Sequence, residues 1–258
     1  MLVVPPEAVM GRLSSQAFEL VEGAAEPGIV LTCEHASQHM PATHALTGED
    51  ARLRDTHWAY DLGARELTLA CAEELGATAV LASFSRLLVD PNREEDHPDL
   101  FRRTAEGHPV RLNANLTHAD RAQRLAQYYG PFHTAVRQCI TATRPALLFS
   151  IHSFTPLYEG VPRIVQLGVL FNREEALAHV FGAELARRGF SSQANEPWSG
   201  KAGLIYSAES HAYAAGARPL ELEVRQDLAC DPAYRARLVP ALAGALRLCV
   251  AQLRANAL

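Results

Sequence analysis

Lysine is almost missing from this chain. Of its 24 basic residues only Lys201 is not an arginine, no long basic run occurs, and the net charge is −5. Binding to nucleic acid needs clustered Lys and Arg against phosphate, so that class of partner is disfavoured. Cysteine is scarce as well. The five, at positions 33, 71, 139, 230 and 249, are odd in number and widely spaced, and no C-x-x-C pair occurs. This pattern predicts a reduced, cytoplasmic protein rather than a disulfide scaffold. Met1 to Leu13 lacks a basic stretch followed by an apolar core, so no secretory signal is expected. No apolar run is read as long enough to span a bilayer, so no membrane partner is expected either. Internal repeats, low-complexity tracts and domain linkers are also lacking. The chain therefore reads as one domain over 1–258, with 1–27 as an N-terminal extension that has room for one helical turn. Nothing in the sequence specifies an oligomeric state.

What is present suits a sizeable globular core: 258 residues, 48% hydrophobic and 21% charged. Ile29-Val30-Leu31-Thr32-Cys33 is rich in β-branched residues and reads as a central strand. Residues 61–75 read as a helix stopped by Gly76, 77–82 as a strand, and 85–89 as a further extended piece. Strand, helix, strand in this order favours a parallel sheet. Residues 92–118 form a polar loop long enough to be functional. Residues 119–143 read as a helix interrupted at Gly130-Pro131. Further along, 147–151 and 164–171 read as strands, 174–188 as a helix, and 191–200 as a loop rich in turn residues. Residues 218–225 alternate, which predicts a half-buried strand with Glu221, Glu223 and Arg225 on its polar face. Residues 234–254 read as a closing amphipathic helix. The fold class is α/β: a single domain with a mixed, mostly parallel sheet flanked by helices.

Ionisable residues follow the apolar runs in several places. They include Glu34 and His35, Asp90 and Arg93, His152, and the Glu221 and Glu223 pair. In open α/β sheets ligands bind at the carboxyl ends of the strands, so these groups point to one hydrolytic site. A catalytic Zn2+ or similar divalent metal takes three protein ligands and keeps a position for water. His35 and His152 are two candidate ligands, and the third is Asp61 or else Glu34. Asp61 could equally cap the helix or sit in its first turn, and Glu34 could orient His35 by a hydrogen bond. Glu223 is the candidate general base, with Glu221 as the alternative; a salt bridge to Arg225 would be its structural role. Arg86 and Arg93 suit a substrate carboxylate, which a guanidinium grips bidentately. Their structural alternative is pairing with Asp90, Glu94 or Glu95. Cys33 reads as a small buried hydrophobe, with nothing local to activate a Cys–His nucleophile.

Six motifs occur in order: Val30-Leu31-Thr32-Cys33-Glu34-His35-Ala36-Ser37; His57-Trp58-Ala59-Tyr60-Asp61-Leu62-Gly63; Ser85-Arg86-Leu87-Leu88-Val89-Asp90-Pro91-Asn92-Arg93; Ser150-Ile151-His152-Ser153-Phe154; Asn195-Glu196-Pro197-Trp198-Ser199-Gly200; and Glu223-Val224-Arg225-Gln226-Asp227-Leu228. Together they resemble the N-formylglutamate amidohydrolase family. The Cys-Glu-His-Ala-Ser form resembles its "predicted" branch, with Gln38 where that branch has Asn. The resemblance implies a fold similar to the zinc exopeptidases. It also implies metal-dependent cleavage of a linear amide in a small acidic N-acyl amino acid, with N-formyl-L-glutamate giving formate and glutamate. Asp90-Pro91-Asn92-Arg93 resembles the Asn-Arg pair that aspartoacylase-type enzymes use on a carboxylate. Asn92 and Arg93, with Arg86 or Arg225, would then bind the substrate, joined by Asn195 and Ser199 from a loop over the site. The His-x-x-Glu pair of the zinc carboxypeptidases is missing, since Gln38 stands three residues after His35. A ligand at the start of the following helix, as in some zinc amidases, fits Asp61. Rival readings are an amidase for a larger peptide or cell-wall substrate and a non-catalytic binding protein on a hydrolase fold.

Overall fold

In the computed structural model, which describes residues 11–23, 28–158 and 160–255, eight strands form the main sheet. In chain order they are β1 (Arg12–Ser14), β2 (Phe18–Val21), β3 (Ile29–Cys33), β4 (Thr78–Ala82), β5 (Leu147–Phe154), β6 (Leu167–Leu170), β7 (Ser192–Ala194) and β8 (Arg218–Arg225). Their spatial order is β1-β2-β4-β3-β5-β8-β6-β7. The central strands β4, β3, β5 and β8 are parallel. The hairpin of β1 and β2 joins antiparallel on one side, and β6 joins antiparallel on the other. Every residue of β3 and of β5 is buried. Such unbroken burial is what a parallel strand covered on both faces requires.

Five longer helices supply that cover: α1 (Ala64–Leu75), α2 (Gly130–Thr143), α3 (Glu175–Arg187), α4 (Tyr206–Ala214) and α5 (Pro232–Ala255). Helix α1 buries Ala64, Leu67, Thr68, Cys71, Ala72 and Leu75, a stripe at helical spacing. It stops at Gly76, whose positive φ lets its N–H reach the carbonyls of Ala72 and Glu73. Helices α1, α3 and α5 share one core with Phe149, Leu167 and Leu222. Helices α2 and α4 share the other with Val30, Val80 and Leu148. By length and composition α5 could cross a membrane, contrary to expectation. Half of its apolar window is buried in the fold, as in a core helix.

Several elements differ from expectation. Within the N-terminal extension the described residues form the β1–β2 hairpin on the sheet edge rather than a helical turn; Pro5, Pro6 and Pro27 lie outside the described residues. The 85–89 piece is a turn, not extended. The Ser85 hydroxyl donates to the Ala59 carbonyl and accepts from the Leu87 N–H, and the Leu88 N–H closes onto the Ser85 carbonyl at 2.9 Å. The helix expected over 61–75 begins only at Ala64, because Gly63 turns the chain at φ 79°. Asp61 therefore precedes the helix, and its carboxylate makes no cap. Strand β5 runs on to Phe154, so His152 is inside it. Strand β8 is buried on both faces, with Glu221 and Glu223 only 1% and 7% exposed. The 191–200 loop contributes the edge strand β7. In the 119–143 segment the interruption is a π-helical turn at Leu125–Tyr129, which ends ahead of Pro131, a residue with no N–H to give.

Gly168 on β6 stands opposite Glu223. A Cβ there would run into the Glu196 carbonyl. Glycine thus lets the 195–200 segment lie flat beside Glu223. Gly168→Ala should destabilise the fold by about 1–3 kcal/mol through overpacking. Calorimetry should register a fall in Tm of about 2–10 °C. An unchanged Tm would show that the segment yields freely and is not packed on the strand.

Candidate active site

Three segments meet at the carboxyl edge of the parallel strands. His35 leaves β3 two residues after Cys33. The Asp61 N–H donates to the His35 carbonyl at 2.9 Å, which pins the turn carrying Asp61 beside it. Gly63 holds that turn, because a Cβ there would meet the Ala229 backbone at 2.5 Å. His152 comes from β5, in register with Glu223 of β8. As a result donor atoms of His35, Asp61 and His152 lie within 4.8 Å of one another, all buried. Asp61 Oδ2 is 3.4 Å from His35 Nδ1 and 2.9 Å from His152 Nδ1. The same oxygen accepts the Ser153 N–H.

Each imidazole has a further carboxylate at its other nitrogen. His35 Nε2 lies 2.8 Å from Asp90 Oδ1. His152 Nε2 lies 3.1 Å from Glu34 Oε2, which also accepts from the Ser150 hydroxyl at 2.5 Å. Glu34 therefore orients His152, not His35; the partner of His35 is Asp90. Asp90 is fixed in turn by the Arg86 fork at 3.1 and 2.6 Å and by the Asn92 N–H at 2.9 Å. A carboxylate behind each ring is the usual support of a histidine that binds metal, since it sets the tautomer and the ring angle.

The electrostatics agree with that arrangement. Burial pushes the Glu34 carboxyl up, but His152 and the Ser150 hydroxyl outweigh it and bring it down to about 2. Asp90 is held well below the usual carboxylate range because Arg86 and His35 overcome its burial. Asp61 is lowered by His35 and His152, again against burial. Burial opposes the charge on His152, yet Glu221, Asp61 and Glu34 raise it well above the ordinary imidazole value. Glu221 is pushed up to about 7, first by burial and then by Glu34 and Asp61, against His152. Burial also raises Glu223 well above the usual range, with Asp61 and Glu221 adding to it. His35 Nδ1, facing Asp61, is buried with no hydrogen-bond partner. Two histidines, an aspartate, that orphaned nitrogen and a surplus of carboxylates together make a donor set that fits a divalent cation.

A cavity of about 200 Å³ opens over these groups. That is under the range of about 300–1,000 Å³ typical of drug-sized ligands and suits a small metabolite. His35, Asp61, His152, Arg86, Asn92, Arg93, Glu221 and Glu223 all line it. Arg86 is already committed to Asp90 and stands 3.7 Å from Asp61. Asn92 clasps the far wall: its amide donates to the Leu204 carbonyl and reaches Glu221 at 3.4 Å, and its Oδ1 accepts the Ser207 N–H. Arg93 pairs with none of Asp90, Glu94 or Glu95, and its Nε is buried without a partner.

Other sequence candidates stand behind the cavity wall. Asn195 Oδ1 accepts from the Phe171 and Gly200 N–H groups, and the Ser199 hydroxyl accepts from the Lys201 N–H. They shape the segment that carries Trp198 to the cavity. Arg225 does not bridge to Glu223. The chain turns at the end of β8, so its fork takes Asp227 at 2.7 and 3.0 Å. Arg163, Tyr158, Trp198, His57, Trp58 and Arg102 also line the cavity, and no apolar run pointed to them. Of these, Trp198, His57 and Trp58 lay inside motifs that were already legible. Burial pushes the Cys33 thiol up to about 12, which removes it as a nucleophile.

A family model described as N-formylglutamate amidohydrolase matches residues 28–230. No curated protein matches the chain significantly. The crystal structure of gene product Atu2144 from Agrobacterium tumefaciens superposes with a TM-score of 0.86 at 28% identity, covering 93% of this chain and 97% of that one. N-formylglutamate amidohydrolase from Ralstonia eutropha JMP134 superposes with a TM-score of 0.66 at 21% identity, covering 94% of this chain and 100% of that one. The latter likeness concerns the fold.

Asp90→Asn and Glu34→Gln leave the side chains of His35, Asp61 and His152 unaltered and remove the charge behind each ring. Each should weaken binding of Zn2+ by about 10- to 100-fold, measured by competition with a chromogenic chelator. Affinity equal to that of the unaltered protein would remove the two carboxylates from the support of the site.

Proposed function

The chain belongs to the N-formylglutamate amidohydrolase family, and we propose that it hydrolyses the linear amide of a small acidic N-acyl amino acid with a divalent metal, Zn2+ or a similar ion. The named substrate is N-formyl-L-glutamate, and the products are formate and L-glutamate. The observation that carries this reading is the convergence of His35, Asp61 and His152 at one point beside two buried glutamates. These three residues would hold the metal. When bound, such a metal polarises the acyl oxygen and makes water a stronger acid.

The remaining roles fall to the chain's own side chains. Glu223 is the general base: it takes a proton from the attacking water as the C–O bond forms, and passes it to the amine nitrogen as the C–N bond breaks. Its Oε2 is buried and without a partner, whereas Glu221 is tied to Asn92. That difference supports Glu223 over Glu221. Arg93, which has no carboxylate partner among the described residues and only a 3.5 Å contact from Nη1 to the Asn92 carbonyl, grips a substrate carboxylate, with Arg86 adding positive charge from behind. Asn195 and Ser199 keep the 195–200 segment over the cavity, and Arg225 supports its wall. We read the whole chain as one catalytic domain. Its five free cysteines suit a reduced, cytoplasmic setting.

The test is release of formate and amino acid from a panel of N-formyl and N-acyl amino acids, on protein assayed for metal, with and without a chelator. Hydrolysis of N-formyl-L-glutamate that stops on chelation is the expected result. Turnover that survives complete metal removal would overturn the mechanism, and protein with neither metal nor turnover would overturn the function. Glu223→Gln should keep its metal while kcat falls about 100- to 10,000-fold; normal turnover would transfer the role to Glu221.

A further inference from the structure

Arg163 is the cavity arginine that these roles leave over. It follows a small hairpin in which Leu157–Tyr158 pairs with Val161–Pro162. Its peptide is fixed on both sides. The Arg163 N–H donates to the Pro156 carbonyl at 2.8 Å. Its own carbonyl accepts from Arg225 Nη1 at 3.1 Å, and Arg225 is itself forked on Asp227. The guanidinium lies among three rings brought by three segments: Trp198 at 4.3 Å, Tyr158 at 4.6 Å and Phe154 at 5.6 Å from their centres. Tyr158 and Trp198 brace each other edge to face at 5.5 Å. Aromatic faces hold a guanidinium by its plane and leave its N–H edge free for an acceptor.

Among the described residues that edge meets no acceptor. Arg163 Nη1 is buried without a hydrogen-bond partner, and among the described residues no carboxylate pairs with it. A buried charged donor left unpaired is expensive, and it persists where a ligand completes it. The other arginines of the cavity divide sharply. Arg86 is held by Asp90, and Arg102 by Asp99 at 3.2 Å. Arg93 and Arg163 have no carboxylate partner among the described residues. Two unpaired guanidiniums lining one small cavity match a ligand with two carboxylates. We infer that Arg163 binds one carboxylate of a dicarboxylic N-acyl amino acid while Arg93 binds the other, and that Arg163 thereby sets the preference for the diacid over its monoamides. The identity of the ligand rests on the amidase reading; the pairing of Arg163 with a carboxylate does not.

The experiment uses the full-length, metal-loaded protein and three substrates: N-formyl-L-glutamate, N-formyl-L-glutamine and N-formyl-L-isoglutamine. The two monoamides each lack one of the two carboxylates. Arg163→Gln should raise KM for the diacid about 10- to 100-fold, the loss of one charged hydrogen bond. Its kcat should stay within about threefold, since the grip is made before the chemistry. Only the monoamide that keeps the gripped carboxylate should weaken with the diacid; the other should be untouched. Arg163→Lys should recover part of the loss. Equal weakening of all three substrates, or of none, would overturn the inference while the amidase function stood. If the unaltered protein hydrolyses no N-acyl amino acid, the amidase reading falls instead, and calorimetry with glutarate and its monoamide decides on Arg163. Preference for the diacid that disappears in Arg163→Gln supports the pairing, and identical binding by both proteins overturns it.

Discussion

Imidazoles and carboxylates gathered in one largely buried cluster have to satisfy one another, and that constraint shapes the whole carboxyl edge of this sheet. Asp61 lies between His35 and His152, Asp90 ties His35 to Arg86, and Glu34 closes on His152 and Ser150. Removing any one member leaves a buried charge uncompensated, which is costlier than never having had the pair. The strands must therefore arrive in one register. Glu223 meets His152, and Glu221 meets Ser150, along the β8–β5 ladder. A slip of β8 by one residue would turn both glutamates to the opposite face of the sheet, away from His152. The two apolar cores thus do more than stabilise the sheet, because they fix the register on which the charge network depends.

The outline of this arrangement was legible in the sequence because strands buried on both faces read as unbroken apolar runs. Ile29–Cys33 and the run leading to His152 announced themselves in that way. The residues just beyond them fell on one sheet edge by the ordinary logic of parallel sheets. The misreadings share a different cause. Alternation in 218–225 separates two faces but does not say that both are covered, so Glu221 and Glu223 read as half-exposed. Turn geometry was invisible too. Gly63 delays the helix and frees the Asp61 carboxylate from capping it, and the Ser85 hydroxyl turns the segment that carries Leu87, Leu88 and Val89. Glu34 read as the partner of His35 because the two are adjacent. In the fold Glu34 instead meets His152, 118 positions away.

Direction, rather than position, is what a sequence withholds about charged side chains. Arg225 lies two residues after Glu223, and alternation puts both on one face. Yet the strand ends there, and the fork turns to Asp227. Its contribution to the cavity is indirect: it holds the Arg163 peptide. Asn195 likewise sits in a motif that promised contact with a ligand, and spends its carbonyl oxygen on two backbone N–H groups. Groups that shape a site and groups that touch its ligand carry the same sequence signature. Only the accounting of donors and acceptors separates them.

That accounting gives the scarcity of lysine a local meaning. Arg54 beside Asp55 on the surface makes a pair that any cation could make, and it contributes little. Around the cavity the demands are stricter. Arg86 must present a planar fork to Asp90, and Arg225 must do the same for Asp227 while keeping an N–H for the Arg163 carbonyl. Arg163 must sit among three rings with its Nη1 unpaired. An ammonium group has the charge but neither the plane nor the fork. Lysine at any of these positions would keep the electrostatics roughly intact and lose the geometry. The cavity therefore selects arginine for shape as much as for charge.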